Sequence, residues 1–525
     1  MRRTPAIVPI VLYGVLALVV VPVFPHGISP NEFSRWALDV AIVDFHTFEI
    51  SRVIALGIPL GDIATKDGKT YSNKVPGSSL VVLPAYALTR AILGPASPST
   101  MRVSLTALRI AGATIPTILL AIWFGAVARR FGIDEKRIAF ATATMLFGTV
   151  VFTYGLLFFS HALSTFALFG AWALLFVWRT GASPVPTGEG ACPPQNAYAA
   201  GALIGIAVLN ESAPVFAGAA LIACAYFTIG WRGVLRVIAG GVPLAILFFG
   251  YNWITFGGPL ALPFYFDVDA HIRNVDVSGF LGLNWPVYMK DILLDPGKGV
   301  LVLSPVLLMA LHGLRRAKAA MPKPAFVGMI VVPLFVILPI AGYPYWFGGR
   351  CVGVRYIEPV VPFLALLIAF ATPTVIEVVL LGASVVTIAI LSLVFPFVPT
   401  IYAAPWASFS WPLLRDGCVA PNLVHFISRP MAIAVPFLLV IVAVVFVVPL
   451  RRVALLVAGA VLWLAIGFLA EARHPSNPAL RVLIEEVHFQ RRDLIQQTFP
   501  PTPAAIALKR SALALERLPP PEWPY

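Results

Sequence analysis

The chain is poor in charge and poor in cysteine. Of its 525 residues only 12% are Asp, Glu, Lys or Arg, against about 25% in ordinary soluble domains. With 59% of the residues hydrophobic, disorder is excluded, because disorder needs low hydrophobicity. A soluble globule is excluded as well, since one core could not hide so much apolar surface. Four cysteines (Cys192, Cys224, Cys351 and Cys418), with no C-x-x-C among them, are too few and too scattered for a disulfide framework or a zinc site. The phosphate-cradling pattern G-x-x-x-x-G-K-[ST] is missing too, so nothing marks a nucleotide site, and no nucleic acid is expected as a partner.

What the chain does have is apolar runs of membrane-spanning length. A span needs roughly 20 apolar residues, and the candidates are 6–24, 103–128, 138–158, 160–178, 235–253, 299–314, 325–341, 359–373, 375–396, 431–450 and 453–470. The stretch 198–230 is too long for one crossing. It carries Asn210, Glu211 and Pro214 at its middle, so it reads as two short spans meeting at a turn. The expected fold class is therefore all-α: a polytopic membrane protein with about 13 transmembrane helices. Arg2 and Arg3 before the first run look like the start of a signal peptide, but no small-residue cleavage site follows, and the run is read as a retained span.

Thirty-seven basic residues against twenty-four acidic ones leave a net charge of +13, and basic short loops mark the cytoplasmic side. Arg2/Arg3, Arg129/Arg130/Lys136/Arg137, Arg179, Arg232/Arg236, Arg315/Arg316/Lys318 and Arg451/Arg452 all face the cytoplasm if 78–94 is not a crossing. That segment, which follows Pro76-Gly77 and carries Arg90, is accordingly expected to lie on or dip into the outer face. A loop from Pro25 to Arg102, 78 residues long, would then sit outside. The transmembrane unit is placed at 1–470. The tail 471–525 falls on the outer side by parity, against the pull of Arg473, Arg481, Arg491 and Arg492.

Ionisable residues are costly in a membrane, so their gathering points are informative. They gather on the expected outer side: Glu32, Arg35, Asp39, Asp44, Asp62, Lys66 and Lys74 in the first loop, beside Asn31; Asp267, Asp269, His271, Arg273 and Asp276 after the seventh span; and Arg350 and Arg355 after the ninth. Within spans, Arg109, Glu211 and Glu377 are the exceptions. Residues 31–45 have near-helical apolar spacing (Phe33, Trp36, Ala37, Val40), which suits a helix in the interface with Trp36 at headgroup level. Glu32 and Arg35, three apart, would share a face. Lys74, beside Pro76-Gly77 and above an apolar segment, suits an anionic headgroup or a snorkelling anchor. His161 reads as a hydrogen-bonded interface residue or a functional one. Glu211 either caps exposed backbone or lines a cavity. Asp267-Val268-Asp269 has the form of a metal-binding D-x-D, a triplet also common by chance.

Four segments resemble the C-type (GT-C) superfamily of membrane glycosyltransferases, which includes the lipid A aminoarabinose transferase and the protein O-mannosyltransferases. Glu32-Phe33-Ser34-Arg35 has the spacing of the family's Asp-Glu-x-Arg, with Asn31-Glu32 in place of the acidic pair, so that one carboxylate remains. Tyr71-Ser72-Asn73-Lys74-Val75-Pro76-Gly77 is similar to a YS-x-K-x-PG version found in bacterial members. Trp346-Phe347-Gly348-Gly349 through Gly353-Val354-Arg355-Tyr356 resembles W-x-GG-x-x-x-G-x-R-Y, and Leu294 to Pro305 is similar to the family's "RGL…SP" segment. The resemblance implies transfer of a sugar from a polyprenyl-phosphate donor to a glycan, lipid or protein acceptor, at the outer face of the cytoplasmic membrane.

The chemistry needs cations on the leaving phosphate and a carboxylate as general base. Glu32 is the expected base, with Arg35, Lys74 and Arg355 on the phosphate. Asp62, Tyr71, His161, Trp346 and Arg350 are further substrate-binding candidates, Asp62 for acceptor orientation and Arg350 as an alternative to Arg355. No cofactor is required; a divalent metal is left open, with no ligand set assigned. The main rival is a transporter or flippase, for which Glu211 at a bent span pair would be cited. A polymerase or ligase of surface glycans would differ mainly in the acceptor. A Cys351–Cys418 disulfide is a further option, both residues falling in outer loops.

Overall fold

The structure is a computed structural model, and it describes residues 4–23, 29–56, 62–178, 194–268, 285–398, 402–415 and 417–473. The expected tail 471–525 from residue 474 onward, together with Cys192, Asp269, His271, Arg273 and Asp276, lies outside those residues. The protein is all-α and polytopic, built on apolar helices, with one small hairpin among the described residues. Six helices among the described residues are long and apolar enough to cross a membrane: Pro98–Arg130, Pro214–Phe256, Lys323–Ala341, Val375–Val394, Arg429–Val447 and Leu450–Arg473. Ala6–Val20, Gly77–Leu93 and His161–Phe176 are shorter apolar helices.

The chain opens with α1 (Thr4–Val20) and then α2 (Pro30–Phe45). Helix α2 starts where its sequence says it should: Ser29 caps the Glu32 amide, Pro30 takes the first turn, and Glu32 places negative charge at the positive end of the helix dipole. It is enclosed by protein rather than presented to lipid headgroups. Every residue from Asn31 to Ala41 is buried, and Trp36, expected at headgroup level, is fully enclosed, its Nε1 donating to Ser104 Oγ at 2.8 Å. The apolar face packs with Val82, Tyr86, Leu105 and Leu108. The polar face is buried too, and Asn31, Glu32, Ser34 and Arg35 on it find partners inside the protein.

After the short α3 (Ser51–Ile54), strands β1 (Ile63–Lys66) and β2 (Lys69–Ser72) form an antiparallel hairpin around Asp67-Gly68. Both turn residues have positive φ (50° and 76°), as a two-residue hairpin turn requires. Helix α4 (Gly77–Leu93) follows. Next come α5 (Pro98–Arg109), a π-helical turn Ile110–Thr114 and α6 (Ile115–Arg130), which run on as one long helix. Then α7 (Glu135–Phe147), the short α8 (Val151–Tyr154) and α9 (His161–Phe176) form an antiparallel excursion.

The bent pair expected in 198–230 is present as α10 (Pro194–Asn210) and the start of α11 (Pro214–Phe256), separated by Glu211–Ala213. A second break at Gly230 (φ 63°) divides α11 itself, so 235–253 is indeed a separate helical stretch. Helix α12 (Trp285–Leu294) leads to the segment 299–314, expected as a single span. It is broken instead into α13 (Val300–Leu303), a 3-10 turn Pro305–Met309 and α14 (Ala310–Ala320). Proline disfavours helical geometry in the residue before it, and Ser304 leaves the helix at φ −135°, ψ 62°.

The rest follows the apolar runs: α15 (Lys323–Ala341), α16 (Val361–Phe370), α17 (Val375–Val394), a short α18 (Trp411–Arg415), α19 (Arg429–Val447) and α20 (Val453–Arg473). The bundle is closed by α1 packing on α7 and α19, α10 on α9 and α11, and α17 on α20.

One end of the bundle carries a basic collar. Arg129 pairs with Glu135 at 2.6 Å, Arg137 Nη1 donates to the Phe370 carbonyl at 3.3 Å, and Arg452 Nη1 donates to the Pro373 carbonyl at 2.6 Å. Helix α7 leaves from this end, and α9 returns toward it, where Trp172 Nε1 meets the Ala325 carbonyl near the start of α15. Ser160 and His161, between α7 and α9, therefore sit at the opposite end.

Candidate active site

The hairpin brings the first two site residues together. Because Ile63 pairs with Ser72, Asp62 is set opposite Asn73 and Lys74, and the Asn73 amide donates to the Asp62 carbonyl at 3.2 Å. Lys74 Nζ lies 2.8 Å from Asp62 Oδ2, both side chains partly exposed. Burial would raise the Asp62 carboxyl, but the Lys74 ammonium, with Arg355 and Arg35 behind it, holds it below its ordinary value. Burial lowers Lys74, and Asp62 opposes that shift while Arg355 and Arg35 add to it. Three cations thus act on one carboxylate.

Helix α2 supplies Arg35. Its Nε donates to Asn31 Oδ1 one turn back (3.1 Å), Nη1 to Ser78 Oγ (3.3 Å) and Nη2 to Ser160 Oγ (3.0 Å). Ser78 stands where it does because α4 begins hard against α10: a Cβ on Gly77 would lie 2.4 Å from the Leu209 carbonyl atoms, and Ser78 Oγ donates to Asn210 Oδ1 at 2.6 Å. The Lys-x-Pro-Gly of the sequence is thus a loop and helix start that only glycine permits.

Arg355 comes from the loop after α15. Gly348, Gly349 and Gly353 all have positive φ (70°, 75° and 64°), which explains the glycine spacing of that motif. Lys298, from the segment before α13, lies buried beneath the loop, donating to the carbonyls of Phe347, Gly349 and Cys351, with Cys351 Sγ 3.4 Å from its Nζ. The Arg355 guanidinium rests over the rings of Phe159 and Tyr356, 5.2 and 5.1 Å from their centroids, and Nη2 donates to Tyr356 Oη at 3.2 Å. Its buried Nε has no hydrogen-bond partner among the described residues. An unpaired buried donor is costly, and here it belongs to a cation.

His161 and Glu211 complete the cluster. His161 is buried among Tyr154, Phe159 and Tyr356, and its Nδ1 is 3.4 Å from Glu211 Oε1. Ser160 Oγ donates a short hydrogen bond to the same oxygen. Arg35, Lys74 and Arg355 against Asp62 and Glu211 leave the cluster one positive charge in excess.

Several expected residues stand elsewhere. Glu32 does not pair with Arg35 and does not meet Lys74: Arg109 grips both of its oxygens (Nε to Oε1 2.7 Å, Nη2 to Oε2 2.6 Å), and the Phe158 amide donates to Oε1 at 2.7 Å. The pair is sealed, with the side chains 0% and 2% exposed. Held by a cation and a backbone amide and closed to an acceptor, the Glu32 carboxylate lacks the open oxygen expected of a base. Tyr71 points away from the cluster into an apolar group with Tyr251 and Phe256. Trp346 is buried in the main core and supports its loop. Arg350 is exposed, and Arg355 is the arginine of that loop that lies against Phe159 and Tyr356, beside Ser160 and His161. Cys351 is not disulfide-bonded, so the pairing with Cys418 is not formed. Asp267 accepts from Asn73 Nδ2, and no three His, Cys, Asp or Glu side chains gather as metal ligands among the described residues.

Sequence alone gives Ser160, Tyr356 and Lys298 no role and marks Arg109 only as a charge inside an apolar run.

The chain is similar in structure to ArnT from Cupriavidus metallidurans. Against ArnT bound to undecaprenyl phosphate the identity is 14% and the TM-score 0.49, covering 94% of this chain and 81% of that one. Against ArnT in the apo state the values are 16% and 0.49, covering 92% and 79%. The archaeal oligosaccharyltransferase AglB from Archaeoglobus fulgidus, in complex with an inhibitory peptide and a dolichol-phosphate, matches at 12% identity and a TM-score of 0.43, over 99% of this chain and 61% of that one. No family model matches the sequence, and no curated protein matches it.

Proposed function

We propose that this chain is a membrane glycosyltransferase that moves a sugar from a polyprenyl-phosphate donor to a glycan, lipid or protein acceptor, on the side of the membrane away from the basic collar. The observation that carries this reading is the convergence of Arg35, Lys74 and Arg355, from three separate segments, with a buried Arg355 N–H left unpaired. A phosphate oxygen is the partner such a donor suits, and charge-assisted hydrogen bonds of this kind are about twice as strong as neutral ones. As the sugar–phosphate bond breaks, negative charge grows on the leaving phosphate, and preorganised cations in a poorly solvated site stabilise it most at that moment. The carrier's polyprenyl chain would rest in lipid beside α4, whose Val81, Leu88 and Ile92 are exposed.

Mass spectrometry of polyprenyl lipids from a deletion strain tests the reaction: one lipid-linked sugar should accumulate. Titration of the purified full-length protein with undecaprenyl phosphate tests the cradle. Arg355→Ala should weaken binding about 10-fold or more, in line with about 1.5–3 kcal/mol for a charged hydrogen bond, while Arg350→Ala should not. A second reading, a transporter, draws on Glu211 at the break between α10 and α11. It requires uptake of a labelled solute by proteoliposomes without covalent transfer.

A further inference from the structure

We infer that Glu211, held by Ser160 and His161, is the general base that takes the acceptor's proton. This assignment rests on the glycosyltransferase reading and gives it the carboxylate that Glu32 cannot supply. The other carboxylates of the region are excluded one by one. Glu32 is closed off by Arg109 and the Phe158 amide. Asp39 and Glu358 are 0% exposed and Asp267, which accepts from Asn73, is 1% exposed, all out of reach of any acceptor. Asp62 is in contact with Lys74, whose charge the leaving phosphate needs.

Glu211 differs on each count. Its side chain is 18% exposed, on the three-residue break Glu211–Ala213 between two apolar helices. A carboxylate in such a place is expensive unless it is used. A helix cap is the bland explanation, but among the described residues its side chain accepts from no backbone N–H. Instead one oxygen, Oε1, receives Ser160 Oγ and faces His161 Nδ1, while Oε2 accepts no hydrogen bond from any described residue. One lone pair is thereby oriented and the other left open. Ser160 also accepts from Arg35 Nη2, so the base and a phosphate-side cation are joined through a single hydroxyl.

The step balances within these groups. The acceptor hydroxyl gives its proton to Glu211 Oε2 while its oxygen forms a bond to the sugar's anomeric carbon. The bond from that carbon to the phosphate oxygen breaks, its electron pair leaves with the oxygen, and polyprenyl phosphate departs among Arg35, Lys74 and Arg355. His161 is a positioning residue here: it steadies Oε1 and touches neither reactant.

The test re-expresses wild-type protein, Glu211→Gln and Glu211→Asp in a strain lacking the chain. It follows the polyprenyl-linked sugar pool by mass spectrometry, beside undecaprenyl phosphate binding by the purified full-length proteins. Glu211→Gln should clear the pool at least about 100-fold more slowly, the lower end for loss of a general base, with undecaprenyl phosphate affinity within about 3-fold of wild type. Glu211→Asp should recover part of the rate. Clearance by Glu211→Gln at the wild-type rate overturns the assignment. So does loss of undecaprenyl phosphate binding in both variants, which would make Glu211 a brace for Arg35. If the deletion strain accumulates no lipid-linked sugar at all, the donor reading itself falls and the base with it.

Discussion

A carboxylate can accept a proton only through a lone pair that an acceptor can reach, and this separates Glu32 from Glu211 although both sit among basic residues. Glu32 was picked out for standing three residues from Arg35 on one helix face, a local relation that periodicity reveals. Its partner, Arg109, lies 77 positions away, and no local pattern reports such a contact. Removing one member of a buried ion pair strands the other, at about 3–5 kcal/mol. Glu32→Gln should therefore lower the thermal midpoint of the detergent-solubilised protein sharply, and combining Glu32→Leu with Arg109→Met should restore much of it. A Glu32→Gln protein of wild-type stability would return Glu32 to the list of candidate bases. The Lys74–Asp62 pair gives a pH prediction at the same scale. Lys74 loses its proton below the ordinary lysine value because burial disfavours its charge, so undecaprenyl phosphate affinity should fall as pH rises through that lowered value. Lys74→Arg should carry the fall to higher pH. On the acid side, Asp62 is held below its ordinary value; the pair's stabilisation is present above the unfolded carboxylate value, about 3.9, and is lost only as pH falls through the lower folded one. A binding curve flat across the alkaline range would show that Lys74 does not meet the phosphate.

Among the elements, the sequence was most readable where apolar runs are long and uninterrupted: α15, α19 and α20 fall where hydropathy puts them. It was least readable where an element's surroundings decide its environment. Helix α2 has the spacing of a surface helix, but Arg35 and Ser34 are satisfied by groups on α4, at the hairpin and in the turn before α9, and Asn31 by Arg35 itself, so both its faces can be buried. The hairpin itself had a local signal, Asp67-Gly68 between two Lys, and it is what sets Asp62 against Lys74. The break at Ser304 was also written in the sequence, as Ser304-Pro305 inside an apparent span. Gly77 links sequence motif to element packing most directly. Its missing side chain lets the start of α4 meet the end of α10, and a Cβ there would sit 2.4 Å from backbone that cannot move aside. Gly77→Ala should push α4 away from α10, lower the thermal midpoint and weaken undecaprenyl phosphate binding, because Lys74 and Ser78 move with the helix. Gly250→Ala, on a helix with nothing within 4 Å of the added carbon, should leave both unchanged or raise the midpoint slightly. Equal effects at the two positions would remove the α4–α10 contact from the site's architecture.

For the molecule as a whole, the exposed surface says which solvent it meets. Phe227, Trp231, Ile246, Trp253, Ile254 and Leu260 are each more than 60% exposed along or just beyond α11, a patch that no water-soluble monomer of this kind would show. Trp231 and Trp253 are 22 residues apart, which at about 1.5 Å per residue is about 33 Å, close to the roughly 30 Å hydrocarbon thickness that tryptophans bracket. Trp231 adjoins Arg232, of the basic set. Near Trp253, the Phe256 carbonyl at the end of α11 accepts from Lys66 of the hairpin, and the hairpin carries Asp62 into the site. These placements support the proposal that the cation cluster lies on the membrane face opposite the basic collar, which the positive-inside tendency would make the outer one. Lys69 and Arg451 are both exposed, one on the hairpin and the other in the collar. In intact cells a membrane-impermeant maleimide should modify Lys69→Cys. Arg451→Cys should react only after permeabilisation, with both read as mass shifts on the tryptic peptide. The reverse pattern would turn the site toward the cytoplasm, where a lipid-linked donor already carried to the outer leaflet could not be reached.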